Sequence, residues 1–185
     1  WSDVFHGNIP FGVEENTPVD KVMKSIRKEN GNRLEQLAEG KAIEILGRKN
    51  VEGTIDNFKR LSPKFKVRED CGEIDLLCVN PNLKMVFVFD CKNLIKLAGL
   101  YHAKRNVEEF YTKKNSYLKS LKRKKEFIAY NLKEVLLHFN IIDPEGWQVQ
   151  EAFIVTKHHY AAFYKGEKSV FVQVDELFSY LKGES

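Results

Sequence analysis

The chain is expected to fold as an α/β domain, a central sheet flanked by helices. Two observations predict this. Between residues 72 and 93, two apolar runs are joined by a short Asn-Pro-Asn turn, which reads as a β-hairpin. Around it, stretches with apolar residues at helical spacing alternate with further strand-like runs, in the order helix, three strands, long helix, strand, strand, helix. The 185 residues, 43% hydrophobic and 30% charged, suit one soluble domain with a sizeable core.

Taken in order, residues 1 to 16 read as irregular, punctuated by Gly7, Pro10 and Gly12 and carrying the aromatics Trp1, Phe5 and Phe11. Thr17 and Pro18 suit the N-cap and first position of a helix, and Val19, Val22, Met23 and Ile26 follow at helical spacing until Gly31 interrupts. A second helix is expected over 32 to 48, with Leu34, Leu37, Ala38, Ala42, Ile45 and Leu46 as its apolar stripe. Gly40 inside it costs about 1 kcal/mol relative to Ala. Residues 51 to 60 read as a loop or short helix, and 64 to 69 alternate like an edge strand. The hairpin strands are placed at 73 to 80 and 84 to 91. A long helix is expected from about 106 to 139, with Leu121 pointing inward. Strands follow at 148 to 155 and 170 to 174, and Asp175 is positioned to cap a last helix ending at Lys182.

No apolar run approaches membrane-spanning length, and no secretory leader pattern opens the chain. A cytoplasmic setting, or a nuclear one in a eukaryote, is expected. The start at Trp1 points to a piece of a longer chain or of a multi-protein system. Cys71, Cys78 and Cys91 are odd in number and lack Cys-x-x-Cys spacing, which argues for reduced thiols without a metal. The net charge of +4 is modest. It is concentrated between Lys104 and Lys125, where nine Lys or Arg residues face two Glu residues.

The hairpin carries the chemistry. Side chains alternate faces along a strand, so Asp90 and Lys92 share a face and Cys91 takes the other. Asp75 falls on the neighbouring strand within reach of Asp90. Two carboxylates and a lysine at a sheet edge can hold a hard divalent cation and a polarised water. The backbone carbonyl of Cys91 is a further possible metal ligand. Lys92 could position the water, deprotonate it, or stabilise developing charge, and the sequence leaves these open. An Asp-x-Lys triplet alone would be a surface ion pair; its conjunction with the Gly-x-Ile-Asp strand start is what points to a site.

The residues Gly72, Glu73, Ile74 and Asp75, followed by Asp90, Cys91 and Lys92, resemble the PD-(D/E)XK nuclease superfamily, the restriction-endonuclease-like fold, with restriction-type and nuclease-related domains the nearest in kind. The likeness extends over about residues 30 to 182, and Asp90 stands where Glu is commoner. The resemblance implies a mixed sheet, a meander of three strands plus two later ones, flanked by helices. Residues 1–30 would then be an N-terminal extension with one helix, and 31–185 the nuclease-like domain. It also implies magnesium-dependent hydrolysis of phosphodiester bonds, with manganese able to substitute; an endonuclease acting on DNA is the expected form, and the sequence leaves endo- against exonuclease and DNA against RNA open.

A helix-borne carboxylate is part of that implication. Glu35 is the choice, because its setting after Gly31, Asn32, Arg33 and Leu34 resembles the first motif of the family. Glu39, one turn later, competes with it, and Glu73 is secondary. The set is then Glu35, Asp75, Asp90 and Lys92 for catalysis, with Glu35, Asp75, Asp90 and Cys91 on the metal. Lys113, Lys114, Lys119, Lys122 and Arg123, with Tyr111 nearby, are candidates for sequence-independent phosphate contacts; a solvated helix face is the plainer reading. Adjacent His158 and His159 read as loop residues rather than catalysts. Cutting two strands would call for two sites and hence a homodimer. A noncatalytic nucleic-acid-binding or docking module, and an RNA-directed nuclease, are the alternatives.

Overall fold

The computed structural model describes residues 16–65, 71–93, 100–157, 162 and 170–184. Most of the irregular opening stretch, the greater part of the strand expected at 64 to 69, and the loop bearing His158, His159 and Tyr160 lie outside the described residues.

Helix α1 (Pro18–Leu46) opens as its sequence dictates: the Thr17 side chain accepts a hydrogen bond from the Asp20 N–H at 3.2 Å, and Pro18 needs no partner for its missing N–H. It is one helix of 29 residues rather than two. Gly31 weakens a helix without ending it, because glycine adopts helical dihedrals and loses only entropy in doing so. Leu34, Ala38 and Ala42, four residues apart, form the buried line, while Leu37, expected on the apolar stripe, is turned to solvent. Gly47, at a φ of 81°, ends the helix.

A five-stranded sheet follows in spatial order β1-β2-β3-β4-β5. The edge position is taken by β1 (Val51–Glu52), within a stretch read as loop or short helix; Phe58–Arg60 does form a single 3-10 turn. Strands β2 (Leu76–Asn80) and β3 (Met85–Lys92) make the expected antiparallel hairpin, paired from Leu76↔Phe89 to Asn80↔Met85. Strand β4 (Gln148–Val155) runs parallel to β3, from Met85↔Gln148 to Lys92↔Val155, and β5 (Phe171–Gln173) runs parallel to β4. The molecule is thus α/β with a mixed sheet covered by helices.

The long helix expected over 106 to 139 is interrupted. It consists of α2 (Leu100–Val107), a π-helical turn (Glu108–Thr112), α3 (Tyr117–Tyr130) and α4 (Leu132–His138). Two polar residues break it. Ser116 accepts from the Lys119 N–H at 3.4 Å and so starts a new helix, and buried Asn131 donates its side-chain amide to the Phe127 carbonyl at 3.0 Å. The last helix is α5 (Leu177–Lys182). Asp175 does not cap it; its carboxylate pairs instead with Lys41 of α1 at 2.6 Å.

Both sheet faces are covered. Leu34, Ala38 and Ala42 of α1, with Leu177 and Leu181 of α5, pack on the face presenting Cys78, Phe87, Phe89 and Cys91. Phe127, Ile128, Val135 and Leu136 of α3 and α4 cover the face of Leu77, Val79, Val86 and Val88. This double cover explains why β2 and β3 read as continuous apolar runs. A third cluster joins Phe110 of the π turn, Leu121 and Phe153. Phe110 and Phe153 meet edge-on at 5.1 Å, which fixes the π turn against β4.

Asn80 ties the hairpin to α5. Its amide donates to the Leu181 carbonyl at 2.7 Å, and its oxygen accepts from the Asn82 and Leu83 N–H groups at 2.9 and 3.2 Å. Replacing a buried group with three partners strands several of them. Asn80→Ala should therefore cost about 1–3 kcal/mol in urea denaturation, with the midpoint lowered and the slope unchanged.

Candidate active site at the end of strand β3

β3 delivers Asp90 and Lys92 to the face covered by α3, as strand alternation requires. The hairpin register, continued one step past Leu76↔Phe89, sets Asp75 opposite Asp90. Asp75 lies in a bend just before β2, and its Oδ2 accepts the Cys91 N–H at 2.6 Å. Asp90 is 3% exposed. Its Oδ2 accepts from the Lys92 ammonium at 2.5 Å, and its Oδ1 accepts from the ammonium of Lys124, which reaches across from α3. Lys92 also lies over the Tyr117 ring, 5.0 Å from its centroid, in a cation–π contact.

Glu35 approaches from α1. The Thr54 hydroxyl lies 3.5 Å from its Oε2, at the outer limit of a hydrogen bond. Burial pushes its carboxyl above the usual carboxylate range, and the charge of Glu73 adds to this; Lys92 and Asp90 are close enough to act on it as well. Its rival Glu39 is engaged elsewhere, in an ion pair with Arg48 and packed over Gly53. Of the two, Glu35 is the one placed with the hairpin carboxylates. Glu73, exposed, is part of the same electrostatic neighbourhood.

The charges explain the protonation behaviour. Asp75 is pushed up to about 7, first by burial and then by the neighbouring charge of Asp90, against the opposing pull of Lys92, Lys124 and the Cys91 N–H. Burial pulls the Lys92 ammonium down, but Asp90 beside it outweighs that pull and the net shift is upward, so Lys92 holds its proton at neutral pH. The Cys91 thiol points to the α1 side and is driven up by burial; its N–H serves Asp75. All three cysteines are buried free thiols.

This donor set suits a hard divalent cation. Two carboxylates lie side by side, one of them resisting ionisation through burial first and the charge of the other second, and a cation offsets both. Among the described residues no three His, Cys, Asp or Glu side chains form a metal cage. Magnesium asks for less, because it keeps several waters and takes one or two carboxylates plus substrate phosphate.

The expected phosphate contacts are spread over two elements. Lys113 and Lys114 lie in the turn after the π helix, and Lys113 approaches Glu109 at 3.4 Å. Lys119 and Arg123 are exposed one turn apart on α3, and Lys122 is half-buried. An open cleft of about 330 Å³ is lined by Lys104, Arg105, Glu108 and Lys113, beside the carboxylates rather than over them. Tyr117 stands between the two, bearing Lys92 on its ring and lying within electrostatic reach of Glu109 and Arg105.

In the sequence Lys124 is indistinguishable by charge from the other cations of the basic run. A signal for it was present: Leu118, Leu121 and Ile128 mark the inward stripe of α3, and Lys124 falls on it between Leu121 and Ile128. No family model, curated protein or solved structure matches the chain.

Two consequences follow for stability. Asp90→Ala would strand the buried Lys124 ammonium and should cost about 3–5 kcal/mol by chemical denaturation, so it is a poor test of chemistry alone. Asp75 binds its proton more tightly in the folded than in the unfolded chain. Its contribution is therefore fully present below about pH 4 and is lost as pH rises toward 7. Denaturation in EDTA across that window should show Asp75→Asn gaining stability relative to the parent chain as pH rises; parallel profiles would refute the shift.

Proposed function

We propose that this chain is a metal-dependent nuclease domain of the PD-(D/E)XK type, an endonuclease hydrolysing phosphodiester bonds in DNA. The observation that carries the reading is the convergence of Asp75, Asp90 and Lys92 at one end of the central hairpin, with Glu35 beside them. The topology supports it: a three-stranded antiparallel meander, a helical crossover into a strand parallel to the third, and a helix bearing a carboxylate packed on the sheet.

Asp75 and Asp90 would hold magnesium or manganese, with the Cys91 carbonyl as a further oxygen donor and Glu35 accepting hydrogen bonds from the waters the ion keeps. The ion supplies a Lewis acid for the phosphate and makes its bound water more acidic. Lys92, kept charged by Asp90, orients the attacking water and offsets the negative charge that develops on the phosphate oxygens, rather than acting as the base. Lys113, Lys114, Lys119, Lys122 and Arg123 would contact phosphates without reading sequence.

One observation favours a rival reading. Both oxygens of Asp90 already hold ammonium groups, as they would in a structural lock of a noncatalytic nucleic-acid-binding or docking module. Incubating plasmid, linear duplex, single-stranded DNA and RNA with Mg²⁺, Mn²⁺ or EDTA separates the two. The nuclease reading expects metal-dependent DNA cutting that falls by roughly 10²–10³-fold in Lys92→Ala and Asp90→Asn, with circular dichroism showing both variants folded. A folded chain that binds DNA and cuts nothing supports the module, and preferential cutting of RNA moves the substrate class.

A further inference from the structure

We infer that Lys124 is a built-in cation of this site, so that the site takes one divalent ion rather than two. The inference rests on the metal-dependent reading above.

Lys124 is 5% exposed, in a position on α3 that the helix otherwise fills with Leu118, Leu121, Phe127 and Ile128. A lysine buried this deeply is uncommon unless it is paired. Its partner is Oδ1 of Asp90, while Oδ2 faces Lys92. The two ammonium groups differ in kind. Lys92 has a side chain 24% exposed, stands at the end of β3 and is within reach of solvent. Lys124 has a side chain 7% exposed and lies on the buried stripe of α3. Lys92 is the more exposed of the two, so Oδ2 of Asp90 is the oxygen placed to exchange an ammonium for a metal ion, and Oδ1 stays with Lys124.

The charge balance points the same way. With every group ionised, Glu35, Asp75 and Asp90 carry three negative charges against two positive charges on Lys92 and Lys124. One divalent ion leaves a single excess positive charge, which a phosphodiester neutralises. A second ion would leave three, beside the buried Asp90 and Lys124, where uncompensated charge is expensive. Removing the Lys124 charge both frees Oδ1 of Asp90 and lowers that barrier.

The experiment is an equilibrium count of bound Mn²⁺ on the intact chain, from the paramagnetic resonance signal of the free ion. Lys124→Met, Lys124→Gln and Lys124→Arg are compared with the parent, and circular dichroism confirms folding. The expected result is one ion per parent chain and per Lys124→Arg chain, and two per Lys124→Gln or Lys124→Met chain. Lys124→Gln retains a hydrogen-bond donor for Asp90, so it carries the test if Lys124→Met does not fold. Two ions on the parent chain overturn the inference, as does one ion on a folded uncharged variant; both results leave the nuclease reading standing. A parent chain that binds no Mn²⁺ overturns the metal-dependent reading itself.

Discussion

Asp90 held between two lysines inside the molecule is the constraint on which the rest of the site depends. A carboxylate at 3% exposure is tolerable only when its charge is matched and its oxygens are satisfied. Lys92 matches it from the same strand, and Lys124 from the helix that covers the sheet. The arrangement fixes α3 against the end of β3 by an ion pair as well as by apolar packing. It also sets the protonation of its neighbours, because the charge of Asp90 keeps Lys92 protonated and opposes the ionisation of Asp75.

The sheet topology decides where this cluster lies. The antiparallel turn from β2 to β3 brings Asp75 opposite Asp90, and the parallel step to β4 requires a crossover, which the chain makes with α2, the π turn, α3 and α4. That crossover delivers both Lys124 and Tyr117 to the site. The Phe110 contact with Phe153 holds the π turn down beside it, so the cleft formed by Lys104, Arg105, Glu108 and Lys113 adjoins the carboxylates through Tyr117. A π turn next to ionisable groups fits the general tendency of such turns to occur at functional sites.

The hairpin and its ionisable residues were legible because strand alternation and turn chemistry act over two to four residues. β4 was legible for the same reason, and its range is as expected. The helical regions were less so. Gly31 suggested a break that α1 does not make, and the apolar spacing over 106 to 139 suggested a continuity that Ser116 and Asn131 remove through side-chain hydrogen bonds to the backbone. The short edge strand β1 carries only two residues of pattern, and its pairing with Cys78 and Leu77 is a long-range contact with no local signature.

The sequence by itself determined which residues share a strand face, and hence that Asp90 and Lys92 would lie together with Asp75 close by. These follow from backbone periodicity, which does not depend on distant parts of the chain. Only the tertiary structure decided that Glu35 rather than Glu39 stands with them, since Arg48 claims Glu39. Only it showed that one lysine of a basic run, Lys124, turns inward to complete the charge balance. Partner choice among like charges is set by which helix face the core covers, and that depends on packing between elements far apart in sequence.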